Sequence, residues 1–401
     1  MTESIHDDCG KNNIVSFMEK RKEDHNIPNI LQLPNNILAE IFQKIPIKTL
    51  VQSRFVCKFW HRLLSDPQFN EQLFWRTTCL LLRPSRFKVH LVTLKNDSSS
   101  PYDVALKLSE DPIVRRTDRL HIVGSCNGLL CLYKLHSWKP PCGRLYISNP
   151  ITGESLSLPT PPDECIISYP CGFGFSPMSG AYKLVRLRPQ NKSRDEPQCW
   201  EVLVLTIGSG TWRSIGNFTY CLDYVLYGVC VSGFLHWIDW SRAVICAFDL
   251  EREVFHELPL PPSWDLEGKK NISRLDFSVL QGCLSVTVTV TVGSEKKMSS
   301  WVMKEHGVKE SWSLELTIVD VVVGSPPHWV KFKDGLSAKF GDVPVLLKFR
   351  DGQVLLHIGW KLLAYASGKG FAGVEFDGIP IVSEAHVHNP SFVSPKYIIR
   401  G

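Results

Sequence analysis

A repeated unit of about 50 residues is the feature that most constrains what this chain can fold into. Each copy has a glycine followed by a short run rich in Val, Leu, Ile and aromatic residues, which is the pattern of a turn and a β-strand. These glycines are Gly128, Gly180, Gly233, Gly282 and Gly352. Their separations are 180−128=52, 233−180=53, 282−233=49 and 352−282=70 residues. A period of this length indicates one supersecondary unit copied along the chain.

The other half of the unit has the pattern of a hairpin whose second strand often ends in Leu-Pro. It occupies residues 145–159, 203–215 and 245–259, with a weaker copy at 301–316. A period near 50 residues with about four strands per unit is typical of β-propeller blades, which bury their faces on their neighbours. Five units are visible, and residues 75–120 with the C-terminal tail could complete a sixth. A twisted β-sandwich with irregular additions is the alternative fold.

Residues 284–292 give the clearest single strand. Every second residue is apolar, and the residues between them are Ser or Thr. Because successive side chains of a strand point to opposite faces, one face would carry the apolar residues and the other the hydroxyls. The pattern therefore predicts one dry face and one polar face.

Residues 30–74 have a helical pattern instead. Apolar side chains recur at three- and four-residue spacing and would form one stripe along a helix, namely Ile37, Leu38, Ile41, Phe42 and Ile45. Pro34 suits the first turn of this helix, and Pro46 ends it. A second apolar set then precedes a break at Asp66-Pro67, and it consists of Leu50, Val51, Val56, Trp60, Leu63 and Leu64. Two or three short helices are predicted.

A helical segment this short cannot bury all of its large apolar side chains by itself. Either a partner protein covers the remaining apolar surface, or the helices pack against the chain's own downstream domain. The predicted fold class is an α+β multidomain protein, in which a short N-terminal helical motif precedes an all-β, propeller-like domain. The predicted parts are a disordered tail (1–28), the helical motif (29–75), a connecting segment that can join the β domain (76–119) and the β domain itself (120–401).

Charge and composition exclude several classes of protein. The formal net charge is +5, from 45 basic and 40 acidic residues without a long basic block, which does not favour a nucleic-acid partner. The N-terminus lacks the apolar core of a signal peptide, and no window offers the roughly 18 apolar residues of a membrane span. The 13 cysteines are scattered without a CxxC pair, which favours reduced thiols. We therefore expect an intracellular protein, of the nucleus, the cytoplasm or both, with no membrane partner.

The helical segment closely resembles the F-box. The resemblance is carried by the opening Leu33-Pro34, the helix ending Ile45-Pro46, the block Val-Cys-Lys-x-Trp at 56–60 and the closing Asp-Pro-x-Phe at 66–69. These features occur in the order and at the spacing of that family. The one departure is Phe42, where many members carry Leu, and another large apolar residue should be tolerated there.

Residues 100–390 resemble the F-box-associated domains that are typical of large plant families. The matching segments are Ser-Cys-Asn-Gly-Leu-Leu-Cys at 125–131, Asn-Pro-x-Thr-Gly-Glu at 149–154, Gly-Phe-Gly-Phe at 172–175 and Asp-Leu-Glu at 249–251. The Gly-Gly pairs that mark true kelch blades are missing. A kelch-like array is therefore expected rather than a kelch propeller proper.

The resemblance implies a substrate receptor of a ubiquitin ligase. In that family the F-box binds a Skp-type adaptor, which connects the receptor to a cullin scaffold and its RING subunit, and the downstream domain binds the protein target. The corresponding adaptor-binding residues here would be Leu33, Pro34, Ile37, Ile41, Ile45, Pro46, Leu50, Val56 and Trp60. Trp60 would contribute most because of its size, while some members of the set must form the motif's own core. A basic fringe could steer an acidic adaptor, and it consists of Lys48, Arg54, Lys58 and Arg62.

Catalytic motifs are missing or incomplete. The sequence has no phosphate-binding loop, no H-E-x-x-H motif and no zinc-spaced Cys/His set. Cys126 lies in a Gly-x-Cys-x-Gly pattern that mimics a nucleophile elbow, but strand-like residues on both sides predict a hairpin turn at Asn127-Gly128. His386 and His388 would share one face of a strand, yet they lack a third ligand. We predict no catalytic residue, no metal and no cofactor.

Two classes of function remain open at this stage. The first is a non-catalytic ligase receptor whose substrate-binding residues the sequence does not assign. The second is an F-box protein outside the ligases whose β domain binds a glycan or another small ligand. Glycan binding predicts a solvent-facing cluster of Trp with Asp or Asn at one mouth of the β domain.

Overall fold

The structure is a computed structural model of the chain. It describes residues 30, 33–74, 79–85, 88–94, 102–108, 119–138, 141–162, 169–190, 199–220, 222, 227–239, 242–262, 272–292, 295–319, 347–348, 353–358, 361–366, 370–374, 376, 379, 382 and 384–399. The predicted tail at 1–28 lies outside the described residues, and so do parts of the predicted connecting segment at 76–119.

The N-terminal part of the described chain is helical. The helices are α1 (Asn35–Gln43), α2 (Ile47–Ser53), α3 (Lys58–Ser65) and α4 (Pro67–Phe74). Pro67 begins α4 instead of ending the helical segment, because a proline at the first helical position gives up no hydrogen bond. The Asp66 side chain caps this helix, with Oδ1 accepting a hydrogen bond of 2.8 Å from the Phe69 amide. The segment therefore has one or two helices more than the apolar pattern predicted.

The rest of the described chain is almost entirely β-structure. In chain order the strands are β1 (Cys79–Ser85), β2 (Lys88–Leu94), β3 (Tyr102–Leu108), β4 (Arg119–Cys126), β5 (Leu129–Trp138), β6 (Pro141–Asn149), β7 (Glu154–Ser157), β8 (Cys171–Ser176), β9 (Ala181–Pro189), β10 (Trp200–Thr206), β11 (Arg213–Phe218), β12 (Tyr227–Val231), β13 (Phe234–Asp239), β14 (Val244–Asp249), β15 (Phe255–Leu258), β16 (Ile272–Leu280), β17 (Cys283–Val292), β18 (Glu295–Met303), β19 (Trp312–Val319), β20 (Leu347–Lys348), β21 (Val354–Ile358), β22 (Lys361–Ala366), β23 (Gly370–Val374) and β24 (Glu384–His388).

These strands form six consecutive antiparallel units of four strands. Four units are separate sheets, and the other two are joined into one eight-stranded sheet by a short parallel pairing between β8 and β12. We number these units blades 1 to 6, with β4–β7 as blade 2, β8–β11 as blade 3, β12–β15 as blade 4, β16–β19 as blade 5 and β20–β23 as blade 6. Successive four-stranded sheets of this kind confirm the predicted propeller-like β domain, and they do not fit the sandwich alternative.

Blade 1 is built from two distant parts of the chain. Its strand order is β24-β1-β2-β3, so β24 takes the position that β4 and β8 hold in blades 2 and 3. The register of the antiparallel pair runs from Cys79 opposite His388 to Arg83 opposite Glu384. Strands β1 to β3 come from the segment that lies between the helical motif and the first repeated unit. A late strand therefore covers an edge of the first blade that would otherwise be unpaired.

The repeated glycine marks a tight turn between the first two strands of a blade. In blades 2, 4 and 5 the two turn residues both have positive φ, and they are Asn127 and Gly128 (47° and 79°), Ser232 and Gly233 (52° and 83°), and Gln281 and Gly282 (54° and 79°). Two residues with positive φ form the turn that best matches the twist of a hairpin, and glycine adopts such a φ without strain. The residues around Cys126 accordingly form a hairpin, and the strand does not continue into a helix as a nucleophile elbow requires.

The central strand of blade 5 corrects one prediction about its two faces. Leu284 and Val286 of β17 are buried as expected, but Ser285 and Thr287 on the other face are buried too. Thr287 Oγ1 donates a hydrogen bond of 3.3 Å to Ser300 Oγ on β18, so the hydroxyl face is satisfied inside the protein. The face is polar as predicted but it is not solvated, because stacked blades cover both faces of a central strand.

A tryptophan just before, or at the first residue of, the outer strand of one blade joins that blade to the end of the blade before it. Trp212 Nε1 donates a hydrogen bond of 3.0 Å to the Pro159 carbonyl, which joins blade 3 to blade 2. Trp312 Nε1 donates one of 3.0 Å to the Pro259 carbonyl and joins blade 5 to blade 4. Each tryptophan lies 53 residues after its proline. The proline of the Leu-Pro ending therefore has a physical role, because its carbonyl accepts a hydrogen bond that joins two blades.

Replacing Trp212 or Trp312 with phenylalanine should cost about 1 kcal/mol of unfolding free energy for the lost hydrogen bond, with more if the smaller ring packs less well. The two sites lie between different pairs of blades, so the double variant should show nearly the sum of the single effects. Chemical denaturation of the three variants measures this. Single variants as stable as the wild type would show that these bonds contribute nothing.

Candidate partner-binding surface of the helical motif

The helical motif has a small core of its own. Leu38, Phe42 and Leu64 are buried, and Phe69 joins them. The Phe42 ring meets the ring of Trp60 edge-on with centroids 5.1 Å apart, and it meets the ring of Phe69 at 6.0 Å. Phe42, the departure from the family pattern, is therefore the aromatic centre around which α1, α3 and α4 pack.

The structure divides the nine predicted adaptor-binding residues into three groups. Four are exposed, namely Pro34, Ile37, Pro46 and Val56. Four are half-buried at the edge of the motif's core, namely Leu33, Ile41, Ile45 and Trp60. The ninth, Leu50, is only 2 % exposed, so its side chain belongs to the core and we no longer assign it to the partner surface.

Two exposed aromatic residues were missed by the sequence analysis. Phe55, in the turn between α2 and α3, is 81 % exposed, and Phe59 at the start of α3 is 39 % exposed. Val56 between them is 67 % exposed, and Cys57 is exposed as well. The sequence did hold a signal, because Phe59 and Trp60 are adjacent on a helix and cannot both face the same core. We call Phe55, Val56 and Phe59 the apolar turn.

Of the four basic residues predicted near this surface, three are exposed and one is partly buried. Lys48, Lys58 and Arg62 are exposed, as the predicted basic fringe requires. Arg54 is not part of that fringe, because its guanidinium carbon lies 5.4 Å from the ring centroid of Phe392. Burial lowers the pKa of Arg54, and the nearby charge of Glu154 in blade 2 opposes this shift.

The helices also pack against the propeller, which is the second of the two alternatives left open by the sequence. One continuous core cluster contains Leu73 and Phe74 of α4 together with Leu81 of blade 1 and Leu130 and Ile151 of blade 2. The motif therefore has one side fixed to its own β domain, while the apolar turn is exposed. Only the exposed side is available to a partner.

The same contacts identify which end of the propeller carries the helices. Ile151 lies in the turn between β6 and β7, and Gly128, in the turn between β4 and β5, contacts Ser391 just beyond β24. Because neighbouring strands are antiparallel, the corresponding turns of the other blades lie at this end as well. The connections from β5 to β6, from β7 to β8 and their equivalents lie at the opposite end.

The thiols of Cys171 and Cys126 are poor nucleophiles. Burial raises the pKa of Cys171 to about 12. A hydrogen bond to the Cys230 thiol and then burial raise the pKa of Cys126, the residue that mimics a nucleophile in the sequence. A thiol reacts as its thiolate, so a raised pKa lowers its reactivity. Neither residue has the environment of a catalytic cysteine.

His386 and His388 do not form a metal site with their neighbours. His388 Nδ1 lies 3.0 Å from Ser125 Oγ, and His386 Nε2 lies 3.6 Å from a Glu384 carboxylate oxygen. Within the described ranges no three His, Cys, Asp or Glu side chains are grouped so that they could hold a metal ion. None of the helices in those ranges is long and apolar enough to cross a membrane.

Comparison with known proteins identifies both parts of the chain. The F-box domain family matches residues 30–72, and the family described as the F-box associated beta propeller domain matches residues 79–333. The chain is an F-box protein. The resemblance found in the sequence is thereby confirmed, and the two matched ranges coincide with the helical motif and with most of the propeller.

Several plant proteins resemble this F-box protein over most of their length. F-box protein At3g07870 of Arabidopsis thaliana is 30 % identical over 398 residues, which cover 89 % of this chain and 90 % of that protein. F-box/kelch-repeat protein At3g23880 of the same plant is 27 % identical, with 91 % and 96 % covered. F-box protein CPR1, also of Arabidopsis thaliana, is 28 % identical, with 71 % and 73 % covered.

Proposed function

We propose that this F-box protein is the substrate-recognition subunit of a Skp-cullin-F-box ubiquitin ligase. Its helical motif would bind a Skp-type adaptor, and its propeller would bind a protein target for ubiquitination. The observation that supports this most is the exposed apolar turn, which lies on a motif whose other side is already packed on the propeller. The adaptor would connect this chain to the cullin and to the RING subunit.

The energetics of the apolar turn favour a protein partner. Phe55 and Val56 are largely in water, and covering each of them would contribute roughly 1.5–3 kcal/mol before the entropic cost of association. Aromatic side chains are common among the residues that dominate protein interfaces. The exposed Lys48, Lys58 and Arg62 would add attraction to an acidic adaptor, mainly by raising the association rate.

The end of the propeller opposite the helices is the better candidate for binding the target. At that end, 13 residues of the sequence separate the described strands β7 and β8, 8 separate β11 and β12, and 13 separate β15 and β16, whereas the hairpin turns at the helical end are as short as two residues. Long connections carried on a rigid scaffold are where proteins usually place binding residues. This assignment also leaves the adaptor and the target on different sides of one molecule.

One described cluster at that end has the composition of a protein contact. The Arg242 guanidinium lies 4.4 Å above the Tyr220 ring and 3.6 Å from Glu257, and about half of its side chain is exposed. Arginine and tyrosine are enriched at interfaces. None of the tryptophan side chains that the structure describes is fully exposed, so the described part lacks the aromatic cluster that the glycan alternative predicts.

In the proposed role the chain is not an enzyme. It would hold adaptor and target in a fixed arrangement, so that partner subunits transfer ubiquitin to a lysine brought close to them. The raised pKa values of Cys126 and Cys171 agree with this role. We propose an intracellular location, in the nucleus, the cytoplasm or both, where such a complex would act.

Replacing Phe55 and Val56 with glutamate should weaken binding of a Skp-type adaptor by at least about 30-fold, which corresponds to roughly 2 kcal/mol. The substitutions put two carboxylates into an interface that we expect to be apolar, and the exposure of both residues leaves the fold intact. The measurement is adaptor affinity by calorimetry or surface plasmon resonance, with circular dichroism as the check on folding.

Met178→Glu is the matched control, because Met178 is an apolar residue that is 86 % exposed and belongs to the turn between β8 and β9 of blade 3, outside the helical motif. It should bind the adaptor like the wild type. The proposal fails if the wild-type chain binds no Skp-type adaptor, or if the double variant binds as tightly as the control.

A further inference from the structure

Residues 390–394, which follow β24, pass between the helical motif and the propeller. We call them the C-terminal tie. Phe392 at its centre is completely buried in the core cluster that both domains share. Its ring lies 5.4 Å from the ring of Phe74 at the end of α4, and Arg54 lies over its face. The side chain therefore contacts the helical motif while its backbone runs along blade 2.

On the helical side, one asparagine holds the tie. Asn70 Oδ1 accepts a hydrogen bond of 2.7 Å from the Phe392 amide. Its amide nitrogen donates to the carbonyls of Leu64 and Asp66, both at 2.7 Å. Asn70 is buried, so these bonds are shielded from water and fix the tie to the junction of α3 and α4.

On the propeller side, a second buried asparagine does the same. Asn149 Nδ2 donates to the carbonyls of Ser391 and Val393, both at 2.8 Å, so it holds the tie on either side of Phe392. Asn149 Oδ1 accepts from the amides of Ile151 and Thr152 in the turn after β6. All of the hydrogen-bonding capacity of the amide group is thus used to join a blade 2 turn to the tie.

Blade 4 shows that the turn itself does not need an asparagine. Asp249 lies 249−149=100 residues later in the equivalent turn, and its Oδ1 accepts from the amides of Glu251 and Arg252 at 2.8 and 3.0 Å. A carboxylate therefore suffices to form the turn, but it has no N–H to donate. The nitrogen of Asn149 is needed only for the tie.

A third contact closes the tie against blade 2. Ser391 Oγ donates a hydrogen bond of 3.1 Å to the carbonyl of Asn127 in the turn between β4 and β5. A Cβ on the next residue, Gly128, would lie 2.7 Å from the backbone nitrogen of Ser391, so only glycine lets the two segments approach this closely. The tie is therefore fitted into blade 2 by shape as well as by hydrogen bonds.

We propose that the C-terminal tie fixes the angle between the adaptor-binding helices and the propeller, and that Asn70 and Asn149 are its positioning residues. The functional consequence rests on the proposed receptor role. A ligase of this type modifies the lysines that its geometry brings to the ubiquitin donor, and a fixed angle restricts that set. The tie would then determine which lysines are reached, without contacting the adaptor or the target.

The test measures the angle directly. Glu40 in α1 and Lys309 in blade 5 are exposed, and each is replaced with p-acetylphenylalanine and spin-labelled, which leaves the native thiols untouched. Pulsed electron paramagnetic resonance then gives the distribution of distances between the labels. We expect one narrow distribution for the otherwise unchanged chain. In Asn149→Asp a carboxylate faces two carbonyls, and the distribution should become at least twice as wide.

Asp249→Asn is the matched control, because it makes the reverse exchange in an equivalent turn far from the tie. It should keep the narrow distribution. If Asn149→Asp does not fold, Phe392→Leu keeps most of the buried volume while it removes the aromatic contacts, and it should also widen the distribution. The proposal is overturned if the distance distribution of Asn149→Asp is as narrow as that of the unchanged chain, or if the distribution of the control is equally wide.

A second readout separates the tie from the receptor role. In the assembled ligase, mass spectrometry maps the lysines of this chain that become self-ubiquitinated. Asn149→Asp should keep adaptor affinity within about twofold and at least double the number of modified lysines. If the chain assembles no ligase, the receptor role fails while the distance measurement still tests the tie. If the ligase forms and the lysine pattern is unchanged, the functional consequence of the tie is wrong.

Discussion

Replacing Trp237 with alanine should lower the free energy of unfolding by about 3–5 kcal/mol, because the change empties a large buried volume that rigid backbone surrounds. Trp237, in β13, is the largest fully buried side chain of the described residues. Its ring lies against Gly172 and Gly228, which are directly opposite each other in the parallel pairing of β8 and β12. The cavity would lie where blades 3 and 4 meet. Chemical denaturation measures the loss.

Two further substitutions distinguish lost volume from other causes. Trp237→Phe should lower the free energy of unfolding much less than Trp237→Ala does. The indole N–H of Trp237 is buried without a hydrogen-bond partner, so removing it leaves no acceptor unpaired. Gly228→Ala should cost about 1–3 kcal/mol by overpacking, since its Cβ would lie 2.6 Å from two ring atoms of Trp237. If Trp237→Ala costs under about 1 kcal/mol, the ring does not hold these blades together.

Acidification from pH 7 to pH 5 should destabilise the protein strongly, in part through two buried histidines. Burial lowers the pKa of both His236 and His388 to about 3 in the folded chain, against about 6.5 when unfolded. The unfolded chain therefore takes up protons first, and stability falls as the pH drops from about 6.5 towards 3. At pH 5 each histidine would account for about 2 kcal/mol of that loss.

The geometry of His236 explains why it stays neutral. Its Nδ1 lies 3.0 Å from the Val229 carbonyl, which requires a proton on Nδ1, and its Nε2 lies 2.9 Å from Nε2 of His306. A second proton would therefore face the N–H of His306. Burial also lowers the pKa of His306, and a charge on His306 would lower the pKa of His236 further, so a proton on one ring disfavours a proton on the other.

Unfolding free energies at pH 7 and pH 5 measure the effect. The double variant His236→Asn, His388→Asn should be less stable at pH 7 but should lose about 4 kcal/mol less than the wild type between the two pH values. His61→Asn, at an exposed position in α3, is the control and should keep the wild-type dependence. An unchanged slope in the double variant would contradict the assignment.

Much of the β domain could be read from the sequence because its repeat has a local physical cause. The glycine recurs since the second turn residue of several blades needs a positive φ, as at Gly128 and Gly233. The Leu-Pro ending recurs since the carbonyls of Pro159 and Pro259 accept bonds from tryptophans of the next blade. The turn depends on adjacent residues and the Trp–Pro contact recurs between successive blades, so both leave a repeated pattern that one sequence reveals.

The partner surface could be predicted only in part, because periodicity finds apolar residues without saying what covers them. Leu50 and Val56 belong to the same apolar set, yet the first is buried and the second is exposed. Phe55 lies off the helical stripe and therefore escaped notice. The tie left no trace in the sequence, since Asn149 and Phe392 meet only because distant segments are brought together.

The late position of β24 affects how the protein can be made. Through most of the translation of residues 109–383, β1 to β3 are outside the ribosome without the strand that completes their sheet, and the helical motif has no tie. An uncovered sheet edge invites wrong pairing and aggregation, so the nascent chain should depend on chaperones until β24 emerges. A premature stop codon before residue 384 would leave the F-box in place but remove both β24 and the tie that holds it. Such a fragment could still occupy adaptors, and even a short C-terminal truncation should therefore behave as a competitor of intact receptors.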